Sequence, residues 1–249
     1  VGIIGAMSVK LELLKSKLEE NPAVTKAGGM IFTEGKINGI SVVLVQSGVG
    51  KVNAALCAQR LILKFGCTHI INTGIAGAMA SGLKVLDFVA STDAVYHDMD
   101  ATGFGYKKTE IPQMKCSDFP ADGKMLEAAR SAFKEFPAEH KLVFGRIATG
   151  DQFISDKEKK SAIQETCSPA CVEMEGAAVA HACWINEIPF VIIRCMSDMA
   201  DDDGESIYSF NENEAASLSG SLVFRRLRTA RAVCRHTSEP SCQTGGCSY

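Results

Sequence analysis

The chain has 249 residues, which suits one large domain or two small ones. Hydrophobic residues make up 46% and charged residues 22%, a balance that supports a normal core and argues against wholesale disorder. A formal charge of −3, from 26 basic and 29 acidic residues, gives no footing for a nucleic-acid or membrane-surface binder.

Taken in chain order, Val1–Ile4 is a short apolar strand ending at Gly5, and residues 8–20 follow with Leu11, Leu14 and Leu18 at helical spacing. Ile31–Ile37 and Ile40–Gln46 read as strands joined by a turn at Asn38-Gly39. Val52–Leu63 is a helix, and His69–Asn72 a buried strand running into Gly74-Ile75-Ala76-Gly77. Asp87–Val95 is a strand, and residues 97–119 form a long irregular stretch of the kind that often carries function. Lys124–Phe136 (helix), Leu142–Ala148 (strand), Lys157–Gln164 (helix) and Ala170–Glu173 (strand) come next. Met174–Asn186 (helix), Pro189–Cys195 (strand) and Glu212–Leu227 (helix) complete the pattern. Strands alternating with helices predict an α/β fold with a mixed, mostly parallel central sheet. The predicted organisation is one domain over residues 1–225, then a basic, cysteine-containing extension over 226–249 that reads as weakly ordered.

The ten cysteines include no Cys-x-x-Cys pair, so zinc-site spacing is absent. Cys57, Cys67, Cys171, Cys183 and Cys195 sit in apolar runs and read as buried free thiols, which favours a reducing, cytoplasmic setting. No apolar run approaches the roughly 20 residues of a membrane span.

Ligands of open α/β sheets bind beyond the carboxyl ends of strands. The polar and glycine-rich residues there are Gly5-Ala6-Met7, Ser47-Gly48-Val49-Gly50, Thr73–Gly77, Gly150-Asp151-Gln152-Phe153, Glu173-Met174-Glu175 and Ser197-Asp198. None forms a P-loop or a dinucleotide fingerprint, and tight strand-to-helix turns explain such glycines equally well. Glu173 and Glu175 stand where a strand meets a helix: each is either a diol acceptor or a helix-start acid favoured by the macrodipole. Asp198 follows a buried strand, where partial burial would raise its pKa and suit it to general-acid work. The aspartates at 201–203 read as a solvated turn.

Six segments in register carry a resemblance: Gly2–Met7, Ser47–Val52, Asn72–Gly77, Tyr96-His97-Asp98, Val172–Glu175 and Ser197–Asp201. Together they resemble the methylthioadenosine/S-adenosylhomocysteine nucleosidases of the nucleoside phosphorylase superfamily. The resemblance implies a three-layer α/β/α sandwich, a homodimer, adenine nucleosides as ligands, and no metal or other cofactor. It implies Asp198 as the acid toward adenine N7 and Glu175, beside Met174, as the ribose acceptor. It places adenine near Phe153 and the Ile154 backbone, with Ile75, Ala76, Gly77, Glu173 and Ser197 also lining the site. Met7, Val49, Phe104, Tyr106, Pro112 and Phe210 would hold the 5′-alkylthio group, and Arg194 would help to hold the attacking water.

The family pattern has a glutamate where this chain has Lys10, the position that deprotonates the water. A lysine reverses the charge facing a cationic sugar and does not ordinarily accept a proton near neutral pH, so slowed hydrolysis is expected. Glu12, about 200° further round a helix, is expected to face away. A phosphate-dependent phosphorylase and a non-catalytic adenine-nucleoside binder are the alternatives to the hydrolase.

Overall fold

The computed structural model describes residues 1–6, 9–19, 21–200 and 205–236, without the side chains of 9, 10, 205–210, 226 and 228–236. Met7, the aspartates at 201–203, the segment from 237 onward, and the side chains of Lys10 and Phe210 lie outside what is described.

Ten strands are described: β1 (Gly2–Gly5), β2 (Ala23–Ala27), β3 (Met30–Ile37), β4 (Ile40–Gln46), β5 (Ile70–Ala78), β6 (Phe88–Tyr96), β7 (Phe119–Pro120), β8 (Leu142–Thr149), β9 (Cys171–Glu173) and β10 (Phe190–Asp198). The helices are α1 (Val9–Lys15), α2 (Lys51–Leu63), α3 (Gly123–Phe133), α4 (Lys157–Cys167), α5 (Gly176–Ile185) and α6 (Glu205–His236). All strands belong to one sheet in the order β10-β6-β8-β9-β5-β1-β4-β3-β2, with β7 on β6 and a further β10–β5 pairing that closes part of the sheet on itself. The pairs β1–β4, β1–β5 and β10–β5 are parallel, so the carboxyl ends of these strands emerge on one edge.

Period-2 alternation builds the layers. Ile4, Val43, Val45, Ile70 and Ile192 face a core shared with α2 and α5, while Ile3, Val42, Leu44, Ile71, Val191 and Ile193 face one shared with α1, α3 and α6. With both faces covered, these strands read as continuous apolar runs. Burying so much aliphatic surface is the main stabilising contribution, at about 25 cal/mol per Å².

Asn38 and Gly39 take φ of 51° and 75°, as a two-residue hairpin turn requires, and pair Ile37 with Ile40. Three elements differ from expectation. The first helix stops at Lys15 rather than residue 20, because Asn21-Pro22 turns the chain into the unexpected edge strand β2. The glycine-rich segment Gly74–Gly77 is no turn: it continues β5, fully buried, between β9 and β10. Helix α6 spans Glu205–His236, longer than the expected Glu212–Leu227, with Leu222, Val223 and Leu227 buried against the core. Among the described residues no helix is long and apolar enough to cross a membrane.

Candidate active site

Among the described residues two hollows compete. The larger, about 810 Å³, lies at the amino end of β10 and is walled by Met114, Trp184, Ile185, Ile188 and Pro189. It gathers no converging set of catalytic groups. The smaller, about 90 Å³, opens at the carboxyl ends of β1, β5, β9 and β10 and is lined by Ala6, Val49, Ile75, Ala76, Gly77, Phe153, Val172, Glu173, Met174, Glu175, Ser197 and Asp198. Gln152 and Ile154 extend its wall. Chemistry rather than size picks out the second.

Asp198 ends β10 just past a register shift opposite Gly77. Its Oδ1 accepts from the Ala200 N–H at 2.8 Å and its Oδ2 from Ser197 Oγ at 2.8 Å, which aims the carboxyl across the cleft mouth. Gly77 makes room for it. A Cβ there would stand 2.8 Å from both Asp198 Oδ1 and the Ala200 Cβ. Gly77→Ala is therefore expected to lower stability by about 1–3 kcal/mol through overpacking. An unchanged melting temperature would show that the contact relaxes freely.

The two glutamates occupy different environments. Glu173 is fully surrounded: Arg194 Nε at 3.2 Å and Nη2, Thr149 Oγ1, and the N–H groups of Glu175 (3.1 Å) and Gly176 (2.8 Å) all donate to it. Burial pushes its carboxyl up, but the Arg194 guanidinium, with Thr149 and Gly176, outweighs burial and holds it below the ordinary glutamate value. Glu173 lines the cleft yet spends its oxygens on the start of α5. Glu175 accepts from the Gly50 N–H at 3.1 Å, at the amino end of α2, where the helix dipole favours a carboxylate facing the cleft.

Arg194 is enclosed beside Glu173 at the inner end of the cleft wall. It is 1% exposed, and its five N–H donors are matched by Glu173 Oε2 (from Nε and Nη2), Asn72 Oδ1 (2.5 Å), Asn72 O (3.3 Å) and Ile193 O (3.1 Å). Two of these bonds hold the Glu173 carboxylate. Phe104, Tyr106 and Pro112 stand on the segment after β6, and Phe104 is 87% exposed. On α1, Glu12 is exposed while Leu11 and Leu14 are buried. Ala6, Gln152 and Val172 were given no role from sequence, although all three sit in quoted motifs. Asn72 was also missed; a polar residue inside an apolar strand was the available signal.

Residues 1–228 match the model of the phosphorylase superfamily. A 5′-methylthioadenosine/S-adenosylhomocysteine nucleosidase of Staphylococcus haemolyticus is 41% identical over 226 residues, covering 90% of this chain and 96% of the relative. A crystal structure of such a nucleosidase from Colwellia psychrerythraea 34H, in complex with adenine, superposes with a TM-score of 0.87 at 38% identity over 91% of this chain and 93% of that one. The Neisseria meningitidis enzyme, in complex with methylthio-immucillin-A, gives 0.87 at 37% identity over 92% and 98%. The chain belongs to the methylthioadenosine/S-adenosylhomocysteine nucleosidase family of the phosphorylase superfamily.

Proposed function

We propose that this chain hydrolyses the N-glycosidic bond of 5′-methylthioadenosine and S-adenosylhomocysteine, releasing adenine and the 5-thio-substituted ribose. The observation that carries the reading is one cleft lined by Asp198, Glu175 and the ring of Phe153. Adenine leaves poorly as an anion. A proton delivered to N7 from Asp198 lets it leave neutral, a contribution of roughly 10²–10⁴-fold. The purine stacks on Phe153 with its edge along the Ile154 backbone, and the Glu175 carboxylate accepts the ribose hydroxyls beside Met174. Ser197 steadies the acid, while Ile75 and Ala76 back the sugar, which develops oxocarbenium character as water attacks its far face. Val49 and Met7 serve the 5′-thio substituent.

The active assembly is read as a homodimer. Apolar side chains exposed on α2 (Val52 and Leu56) and at Phe104 support that reading. A cytoplasmic setting is supported by buried free thiols. Burial pushes the Cys57 and Cys183 thiols up to about 12, so both stay protonated and unreactive.

The test is adenine release from methylthioadenosine with and without phosphate, for the parent chain and for Lys10→Glu. Release is expected to be independent of phosphate and to rise by roughly 10²-fold or more when the glutamate supplies a base on the water side. Phosphate-dependent release would indicate a phosphorylase. No release from either chain would overturn the site map.

A further inference from the structure

Two parts of the cleft wall come from distant stretches of the chain. Residues 47–50, after β4, carry Val49 and the Gly50 N–H that holds Glu175. Residues 150–154, after β8, carry Gln152, Phe153 and Ile154. Asp98, two residues beyond β6, stands between them. Its Oδ2 accepts from Lys51 Nζ at 2.7 Å and from the Asp151 N–H at 3.0 Å. The link is returned from the other side: the Lys51 N–H donates to Asp151 Oδ1 at 2.8 Å, and the Lys51 ammonium lies 3.7 Å from Asp151 Oδ2. Lys51 also sits 5.5 Å from the centroid of the Tyr96 ring. The contact is tight on both sides. A Cβ at Gly50 would stand 3.2 Å from Asp151 Oδ1, and one at Gly150 would stand 2.3 Å from the His97 ring.

The geometry points to Asp98 as a positioning residue that, through Lys51 and the Asp151 backbone, sets the separation between the ribose-holding and purine-stacking sides of the cleft. The inference rests on the nucleoside reading of that cleft. Charge-assisted hydrogen bonds are shorter and stronger than neutral ones, and one carboxylate oxygen here receives two donors from the two segments. A ligand that spans both sides gains from a fixed separation, because its two ends need not draw mobile segments together on binding. A ligand that touches only the purine side gains nothing from it. A purely structural role for Asp98 would affect both ligands alike.

Calorimetric titration of the full chain with adenine and with methylthio-immucillin-A, a nucleoside analogue, separates the cases. Asp98→Asn and Lys51→Met are each expected to weaken the analogue by at least about tenfold, short of the roughly 10²-fold that a 1 Å misplacement costs in catalysis. Adenine affinity is expected to hold within about threefold, and Lys51→Arg, which keeps the charge, to hold both ligands within about threefold. Equal weakening of both ligands, no change in either, or failure of both weakening variants to fold overturns the positioning role. A parent chain that binds neither ligand instead overturns the nucleoside reading on which it rests.

Discussion

Asp198→Asn is expected to slow adenine release from methylthioadenosine by roughly 10²–10⁴-fold, the typical contribution of a positioned acid. An amide accepts a hydrogen bond much as the carboxylate does, so one of the contacts from the Ala200 N–H and Ser197 Oγ can persist. What it lacks is a proton to give to N7. The loss should therefore fall on the chemical step, with kcat lowered far more than the affinity for adenine. Single-turnover release measured across pH, beside a thermal melt of both chains, reads the two effects separately. Residual activity within about threefold of the parent would place the acid elsewhere, since no contribution on that scale would then belong to Asp198.

Arg194→Met is expected to destabilise the protein by about 3–5 kcal/mol, because it strands a buried carboxylate. At this chain length that corresponds to a fall in Tm of roughly 6–20 °C. In the parent, Glu173 has a folded pKa below its unfolded value. Its stabilisation is therefore present above about pH 4.5 and lost as pH falls through the folded value. Without the guanidinium, burial is the largest remaining influence and pushes the folded pKa the other way. Stability of the variant is then lost as pH rises, and the gap between variant and parent should widen from pH 4.5 to 8. A small gap that does not vary with pH would mean that Glu173 is solvated or paired elsewhere.

The surroundings of the site side chains were not legible in the sequence, for one physical reason. Arg194 and Glu173 were both quoted near reactive positions, but sequence spacing does not reveal how many donors and acceptors surround a side chain. Only packing showed that Arg194 is saturated by Asn72, Ile193 and Glu173. Phe104, Tyr106 and Pro112 likewise belong to a long segment whose path no periodicity specifies. The Gly74–Gly77 segment misled for a related reason. Glycine marks either a turn or a close approach, and here neighbouring strands and Asp198 press against it.

By itself, the sequence determined the alternating strands and helices, the Asn38-Gly39 hairpin and the glutamate pair at the start of α5. Each rests on local periodicity or on backbone preferences within a few residues. Tertiary structure alone decided that the sheet partly closes on itself, that Glu173 anchors a helix while Glu175 faces the cleft, and that Asp98 joins two segments. Those outcomes depend on contacts between residues 100 to 125 positions apart, such as Lys51 with Asp151 and Gly50 with Glu175. Hydrogen-bond saturation and close packing become defined only when the chain brings such residues together.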